Sequence, residues 1–529
     1  MEQKQYPEIP REKFAFANTG ERLTDHKFVD KPIGYFKDAW IRFCRNKASI
    51  VAAIIILLII LFSIVTPLFN TRYDSTFMDV YYQKMGPRNL ALSKIGIATG
   101  TVDRKYTAKG LIGAYAIGMG ALDWDGSGVS LAESAKSEYQ PVKANKGLDG
   151  DVNNQLTRYD AKLETYLGVG FLYMSIEQSE YQKIVEWENA TGKHVLYPLI
   201  ETNEYNPDPT STSANYWYKT DSKYNPVRVG ADGKAVRIKL PDVITDESDI
   251  RLEDNYKRNG DGTPKYYEYT GGGTAETAMY RVRVLYYNYY QYKNGFAPEY
   301  LFGTDSQGYD LALRLADGVR LSLMVAMAVS IINFIIGAVY GAIQGYYGGT
   351  VDLVLDRICD ILSGVPFIVV ATLFQIHLAK KVGAIPSLLF AFVLTGWIGT
   401  AYRVRTQFYR FKNQEYVMAA HTLGASDARI ILKHIFPNSL GTIITSSVLV
   451  IPGVIFSESM LSFLGIVKLG GSGTTSLGTL LSDASSIWTN YPHLMLFPAL
   501  IISLLEISFN LFGNGLRDAF NPSLRGVEG

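Results

Sequence analysis

Apolar residues are concentrated in two parts of the chain, on either side of a long polar region. The first run, ASIVAAIIILLIILFSIVTPLF (Ala48–Phe69), is long enough to cross a membrane as a helix, which takes roughly 20 residues. A polar segment precedes it and no small-residue cleavage motif follows, so it predicts a permanent span and not a signal peptide. Later runs predict five further spans, at Val319–Ile343, Val365–Leu378, Ile385–Tyr402, Leu440–Ile466 and Pro492–Phe512.

Basic residues give the predicted spans an orientation. With six spans, both ends of the chain lie on one side of the membrane, together with the segment between the fourth and fifth spans. The basic clusters fall on that side: Lys37, Arg42, Arg45, Lys47, Arg403, Arg405, Arg410, Lys412, Arg429, Lys433, Arg517 and Arg525. The positive-inside rule makes this side cytoplasmic, so the polar region between the first two spans is expected outside the cell.

The polar region, residues 70–300, has a composition of its own. It contains 26 of the 36 tyrosines and neither of the two cysteines, so we expect a water-exposed domain that folds without disulfides. The tyrosines either build its core or form a face for docking. Its patterns predict an α+β domain, with a hairpin over Pro226–Leu240, a strand at the start of Tyr280–Gly295 and a largely helical Asp160–Gly192.

Few residues suggest chemistry. The net charge of +1 argues against nucleic-acid binding, and neither a phosphate-binding glycine loop nor a nucleophile–base pair stands out. The segment Asp149–Asn154, together with Asp160, has the spacing of a calcium loop, but Asn154 occupies the position that requires glycine. His377 has no second ligand at a suitable spacing. We therefore expect no metal site and no enzymatic activity.

The segment EYVMAAHTLGASDARIILKHIFPNSL (Glu415–Leu440) predicts two short amphipathic helices, separated at Gly424 and ended by Pro437. It lies between two spans on the predicted cytoplasmic side. Because so short a helix cannot bury its apolar face within its own loop, we expect it to dock on the membrane surface or in a groove of a partner. Movement of that partner would pass directly into the fifth span.

This segment resembles the EAA coupling loop of ABC-importer permeases, with Ala419, Ala420, Gly424 and Pro437 at the family's spacing. The resemblance points to the second permease subunit of dipeptide, oligopeptide and nickel importers, the DppC/OppC type. It covers residues of about 30–70 and 300–525, so the polar region is an insertion. Three further segments are similar to family motifs in the same order: FGTDSQGYDLALRLADGVRLSL (Phe302–Leu323), SESMLSFLG (Ser457–Gly465) and FNLFGNGLRDAFNP (Phe509–Pro522).

The resemblance implies an all-α polytopic membrane protein with six transmembrane helices and the type I ABC importer permease fold, plus the inserted extracellular α+β domain. It implies an ATP-driven importer of oligopeptides or dipeptides in a bacterial plasma membrane. The expected partners are a second permease subunit (OppB/DppB-like), two ABC ATPase subunits, an extracellular peptide-binding protein, the peptide substrate and membrane lipid. ATP and magnesium are expected in the ATPases, with no cofactor in this chain.

The chain is expected to divide into a cytoplasmic N-terminal segment (1–47), the first span (48–69), the extracellular domain (70–300), an external amphipathic segment (301–318), a five-helix core (319–513) with a coupling loop (403–439), and a cytoplasmic tail (514–529). The resemblance implies ATPase coupling by Glu415, Ala419, Ala420, Gly424, His434 and Pro437. Candidates for the pathway or a gate are Glu458, Ser462 and Asn510. Residues of the structural motifs are Gly303, Asp305, Gly308, Asp310, Gly515, Arg517 and Asp518.

Two alternatives remain open. Import of nickel or another small solute would use the same architecture. A surface receptor or scaffold, with the external domain as its working part, would leave the coupling loop unexplained. A buried carboxylate such as Glu458 is consistent with a gate and equally with bracing between helices, whereas for Glu506 bracing or subunit contact is favoured.

Overall fold

The computed structural model describes residues 35–70, 72–122, 138–144, 158–201, 213–219, 228–229, 251–272, 274, 278–471 and 474–520. A bundle of long apolar helices carries one inserted domain of mixed α and β structure. The predicted fold class is therefore confirmed.

Two helices open the described chain. The first, α1 (Tyr35–Arg45), is short, and α2 (Lys47–Phe69) is the first apolar span. The side chain of Asn46 begins α2 by accepting hydrogen bonds from the backbone N–H groups of Ala48 and Ser49, which satisfies donors that a helix start leaves free.

The inserted domain follows α2 and contains two main antiparallel sheets. In chain order its elements are α3 (Leu90–Ser93), β1 (Thr101–Thr107), α4 (Ala108–Leu122), β2 (Val142–Ala144), β3 (Arg158–Glu164), α5 (Thr165–Gly168), β4 (Phe171–Glu177), α6 (Gln178–Thr191), β5 (Leu196–Tyr197), β6 (Arg228–Val229), β7 (Arg251–Leu252), β8 (Tyr267–Gly271), β9 (Met279–Leu285) and α7 (Tyr286–Asn294). One sheet has the order β1–β3–β2, and the other is centred on β9, which pairs with β4 along one edge and with β5 and β8 along the other.

Tyrosine side chains form much of the core of this domain. The rings of Tyr73 and Tyr300 stack with their centroids 4.4 Å apart, which joins the two ends of the insertion. The core interpretation of the tyrosines is confirmed, although Tyr216, Tyr267 and Tyr269 are exposed. Buried tyrosines are Tyr73, Tyr82, Tyr115, Tyr139, Tyr166, Tyr197, Tyr218, Tyr256, Tyr286, Tyr289, Tyr290 and Tyr300.

A fully buried cation, Arg283 on β9, holds the second sheet to the segment 213–219. Its Nε donates to the carbonyl oxygen of Ala214 (2.8 Å) and its Nη1 to that of Pro198 (3.0 Å). The guanidinium lies 3.8 Å from the centroid of the Phe171 ring. Burial lowers the pKa of Arg283, and the two carbonyls and the ring replace part of the water that the charge has lost.

One prediction for this domain is wrong in part. Within Asp160–Gly192 only α5 and α6 are helical, because β3 and β4 take up the rest. The pairing partner of β4 is β9, far along the chain, so the local pattern did not reveal it. Of the predicted hairpin over Pro226–Leu240, only Arg228–Val229 (β6) is described; it pairs with β7, and the hairpin itself stays a prediction. Residues 230–240 and the loop Asp149–Asn154 lie outside the described residues, and Asp160 belongs to β3.

The remaining chain forms the membrane core. Its elements are α8 (Leu311–Tyr347), α9 (Gly349–Ser363), α10 (Phe367–His377), α11 (Ala379–Val382), α12 (Ala384–Gly396), α13 (Ile398–Phe411), α14 (Glu415–Thr422), α15 (Asp427–Arg429), α16 (Phe436–Val448), α17 (Val450–Phe463), β10 (Gly470–Gly471), β11 (Thr474–Thr475), α18 (Leu477–Ala484) and α19 (Pro492–Phe520). Within the described residues, five helices are long and apolar enough to cross a membrane, or up to six if the bent pair α9–α10 is one span.

The predicted span boundaries need correction. The third span is bent by 72° between α9 and α10, and it begins well before Val365. The predicted external amphipathic segment 301–318 is not separate from the second span, because α8 begins at Leu311 and buries its first turns. The coupling loop is shorter than 403–439, since α13 continues to Phe411 and the next long helix begins at Asp427.

The inserted domain is fastened to the bundle where it leaves and re-enters. Asn70, directly after α2, donates from Nδ2 to Oδ2 of Asp310 (2.9 Å), and Asp310 caps α8 by accepting from the N–H of Ala312 (2.8 Å). Met85 donates its N–H to Oγ1 of Thr304 (2.9 Å). Burial raises the pKa of the Asp310 carboxyl to about 6, against the opposing effect of these hydrogen bonds.

The same junction explains the motif glycines. Gly303 and Gly308 have φ of +84° and +100°, and a Cβ on either would clash with a backbone carbonyl oxygen, of Met85 or of Asp79. The N–H of Asp79 donates to the carbonyl oxygen of Gly308 (3.1 Å). This part of the motif is therefore where the inserted domain meets the start of α8.

We predict that Gly308→Ala destabilises the junction more than Gly192→Ala destabilises α6. Both glycines are left-handed, but the space around Gly192 is empty within 4 Å, so alanine there costs only the backbone conformation, about 1 kcal/mol. At Gly308 the clash adds roughly 1–3 kcal/mol. The measurement is the Tm of each purified variant in mild detergent, and equal losses would contradict the close approach at Gly308.

Candidate functional site

A left-handed glycine turns the chain between α14 and α15. Gly424 has φ +80°, and no atom lies within 4 Å of the position of its missing Cβ. The N–H of Gly424 donates to the carbonyl oxygen of His421 (2.9 Å), and that of Ala425 to Ala420 (3.0 Å). These bonds close the end of α14, so glycine is favoured at 424 by backbone conformation and not by lack of space.

The loop has two faces with different surroundings. One face is buried against the bundle of this same chain, whereas the prediction was docking on the membrane surface or in a groove of a partner. The reason is that α13 extends past the span and supplies an apolar surface. The buried set is Val404, Phe408, Val417, Ile430 and Ile435.

The other face points away from the chain. Leu423 is 88% exposed, Met418 is 53% exposed, and Ala419 is exposed between them. Glu415 is exposed at the first turn of α14, where a carboxylate favours the helix start. An exposed apolar tip on a well-packed base is typical of a surface that a second protein covers.

Three hydrogen bonds, made by two side chains, fix the loop to its neighbours. The hydroxyl of Tyr346, at the end of α8, donates to Asp427 Oδ1 (2.7 Å). Asn438 Nδ2 donates to the Tyr416 hydroxyl (3.2 Å) and to the carbonyl oxygen of His434 (2.8 Å). Displacement of the loop therefore displaces α8 and α16 as well.

Pro437 does not end the second helix, contrary to the prediction. Residues Ile430–Ile435 form a π turn that leads from α15 into α16 without a break, and Pro437 lies in the first turn of α16. The N–H of Phe436 donates to the carbonyl oxygen of Ile431, five residues earlier. This wider turn accommodates the proline ring, which would clash in a regular helix.

Glu458, on α17, is buried among serines. It is 1% exposed, and its carboxylate oxygens accept from the hydroxyls of Ser322 on α8 (3.0 Å) and Ser462 (3.1 Å). Gly478 of α18 packs against Ser459 so closely that a Cβ would lie 2.5 Å from its Cα. The carboxylate thus braces α8 against α17, whereas a gate role for Glu458 or Ser462 stays a prediction.

The last motif lies on α19. Gly515 is buried where a Cβ would clash with Ser49 of α2, and the Ser49 hydroxyl donates to the carbonyl oxygen of Leu511 (3.4 Å). Arg517 and Asp518 are exposed. Asn510 is exposed and donates from Nδ2 to the carbonyl oxygen of Glu506 (2.9 Å). Gly515 therefore serves close packing of α2 on α19.

Sequence reasoning missed one cluster near the coupling loop. Arg405, considered only for its charge, donates to Asp352 (2.5 Å) and Asp356 (3.2 Å) of α9. The Tyr409 hydroxyl donates to the same Asp352 (2.6 Å). The four-residue spacing of the two aspartates was the available signal, and the cluster holds α9 against α13.

Comparison with known proteins places these features in a class of membrane transport components. Residues 333–526 match the model of the binding-protein-dependent transport system inner membrane component. Residues 34–89 match the N-terminal TM domain of oligopeptide transport permease C. Residues 90–332, which include most of the inserted domain, lie outside both matches.

Individual relatives give the family. The oligopeptide transport system permease protein OppC of Bacillus subtilis is 39% identical over 227 residues, 43% of this chain and 73% of the relative. DppC of Lactococcus lactis, a dipeptide transport system permease protein, is 40% identical over 44% of this chain and 67% of its own length. OppC of Escherichia coli K12 is 42% identical over 42% and 72%. The chain belongs to the DppC/OppC family of binding-protein-dependent transport permeases.

We predict that Glu458→Gln preserves both stability and transport, because an amide can still hydrogen-bond to Ser322 and Ser462. Glu458→Leu should cost about 1–3 kcal/mol, because it removes the acceptor from both buried hydroxyls. The measurements are Tm in detergent and uptake in cells. A glutamine variant that is stable but transports nothing would show that the negative charge is needed, as in a gate.

Proposed function

We propose that this chain is one permease subunit of an ATP-driven importer of oligopeptides or dipeptides, and that α14 is its contact with an ATPase subunit. The observation that carries the proposal is the exposed apolar tip at Met418 and Leu423, on a base packed into α13 and joined to α16. The names of the relatives, which are peptide transport permeases, support the substrate class and a transport role without catalysis.

The assembly would contain a second permease subunit, two ATPases that bind ATP and magnesium, and an extracellular binding protein that delivers the peptide. Closure of the ATPases on ATP would push α14. Since Val417, Ile430 and Ile435 pack on α13, the push moves α13 and, through the π turn, the long helix that ends at Phe463. Such rigid-body movement of helices around a central path is how alternating access operates.

The proposed orientation in the bacterial plasma membrane has both termini inside and the inserted domain outside. The basic residues Arg42 and Arg45 lie in the last turn of α1 and Lys47 begins α2, and the inserted domain is attached at the other end of α2, next to Asn70. Arg517 lies near the far end of α19, beside α1 and α2. Positive charge therefore collects at the end of the bundle opposite the inserted domain.

The inserted domain is proposed as the docking platform for the peptide-binding protein. It is attached to the bundle at three places, near α2, α8 and α19, the last through Arg104, whose guanidinium lies 4.7 Å from the centroid of the Tyr491 ring. Exposed Tyr216, Tyr267 and Tyr269 supply the kind of aromatic surface that protein interfaces use.

We expect the chain, purified from native membranes in mild detergent, to bring with it two ATPases and another six-span permease, identified by mass spectrometry. Recovery of a peptide-binding protein with them would favour peptides over nickel or another small solute. Recovery of cell-wall proteins alone, under conditions that keep other ABC importers intact, would favour the receptor or scaffold.

We predict that Leu423→Asp reduces ATPase recovery and peptide uptake about tenfold or more, because a charge replaces an apolar group in the centre of the proposed contact. The change should leave Tm unaltered, since Leu423 is 88% exposed in this chain. Ile95→Asp is the matched control, as Ile95 is 70% exposed on the inserted domain. Equal ATPase recovery for the two variants would exclude the tip of α14 as the contact.

A further inference from the structure

The exposed face of α19 changes character along the helix. Near the inserted domain it presents Leu496 and Leu500, which are 61% and 50% exposed. From Ser503 onward it presents polar side chains as well: Ser503, Asn510 and Asn514 are exposed and Glu506 is half-buried, while Ile507 and Leu511 are 59% and 42% exposed. Positions three or four residues apart share one side of a helix, so the four polar residues lie along one side, which we call the polar face, with Ile507 beside them.

Packing on the opposite side of α19 confirms that this face points away from the chain. Gly515 lies where a Cβ would clash with Ser49 of α2. Phe509 and Leu505 are buried in the same bundle. The polar face is therefore not needed for contacts within the described part of the chain.

The polar groups on this face are also incompletely satisfied. The Asn510 amide donates to the carbonyl oxygen of Glu506, a bond within the same helix. One carboxylate oxygen of Glu506, Oε1, is buried without a hydrogen-bond partner among the described residues. The Glu506 carboxylate therefore has an acceptor that no described group uses.

Lipid does not suit this surface. A charged side chain in the middle of a membrane helix costs roughly 2.5–3.5 kcal/mol, so intramembrane carboxylates face protein or water. The exposed faces of two other spans differ: α2 presents Leu57 and Leu58, and α8 presents Met327 and Ile331, all apolar. On α19, in contrast, Glu506 and three further polar side chains lie beside the exposed Ile507 and Leu511.

We propose that Ser503, Glu506, Asn510 and Asn514 line a water-filled part of the substrate path, and that the Glu506 carboxylate binds a positively charged group of the substrate. The proposal rests on the proposed import function, under which a peptide with a free amino terminus carries such a group. An ammonium donates to a carboxylate in a short, charge-assisted hydrogen bond, and Asn510 lies one turn away to bind a peptide carbonyl oxygen.

Cysteine labelling in the intact complex tests the water-filled path. Ser503→Cys and Asn510→Cys are introduced singly in a chain with Cys44 and Cys359 replaced by serine, with Leu57→Cys as the lipid-facing control. A membrane-impermeant maleimide is added to inside-out vesicles. We expect labelling at 503 and 510 at least tenfold faster than at 57. Rates as slow as at 57, in complexes that retain ATPases and second permease, would mean a dry contact with that permease and overturn the proposal.

Protection from labelling tests the ligand. Tri-alanine should slow labelling of Asn510→Cys severalfold, N-acetyl-tri-alanine should protect far less, and Glu506→Gln should abolish the difference between them. Equal protection by the two peptides, or none, would overturn the role of Glu506. Neither the labelling rate nor its protection by peptide depends on transport. A negative result in either experiment is therefore distinguishable from failure of the importer assignment, which the co-purification experiment tests.

Discussion

The hydrogen bond between Asn70 and Asp310 joins the end of α2 to the start of α8, and the inserted domain depends on this closeness. A domain inserted between two membrane helices fits the bundle only if its two ends leave and return side by side. Two further contacts extend this junction into the domain. They are the stacked rings of Tyr73 and Tyr300 and the hydrogen bond from Met85 to Thr304. The insertion can thus be large without changing how α2 and α8 pack.

Under the proposed function the coupling loop meets a different constraint, because it would have to be stable alone and still offer a surface to another protein. It divides these tasks between its faces: Val417 and Ile430 bury into the bundle, while Leu423 stays exposed. The π turn then carries α15 into α16 without a flexible joint. A loop that relied on the partner for its folding would transmit less of the partner's movement, since part of that movement would be lost in ordering the loop.

Much of this architecture was predictable from the sequence, because membrane helices leave a strong local signal. The span at α2 and the turn at Gly424 follow from apolar length and from glycine chemistry. The strand β4 was not predictable, since its partner β9 lies far along the chain and the pairing is set by tertiary contact. The prediction that Pro437 ends a helix was wrong for a related reason. It assumes a regular α-helix, in which the proline ring clashes with the preceding turn, whereas the π turn before Pro437 leaves room for the ring. For the candidate site, the residue types were predictable, but which face is buried was not.

The two attachments together restrict how the bundle can move. At one end, the inserted domain holds α2, α8 and, through Arg104 and Tyr491, the start of α19. At the other, Tyr346 ties the end of α8 to the coupling loop. A push on α14 would therefore reach α8, whose other end is held next to α2 and α19 by the inserted domain. These helices can tilt about the end at the inserted domain more easily than they can separate there. In the proposed orientation, opening toward the cytoplasm would then be the larger motion, and the inserted domain would move with the permease as a rigid part of it.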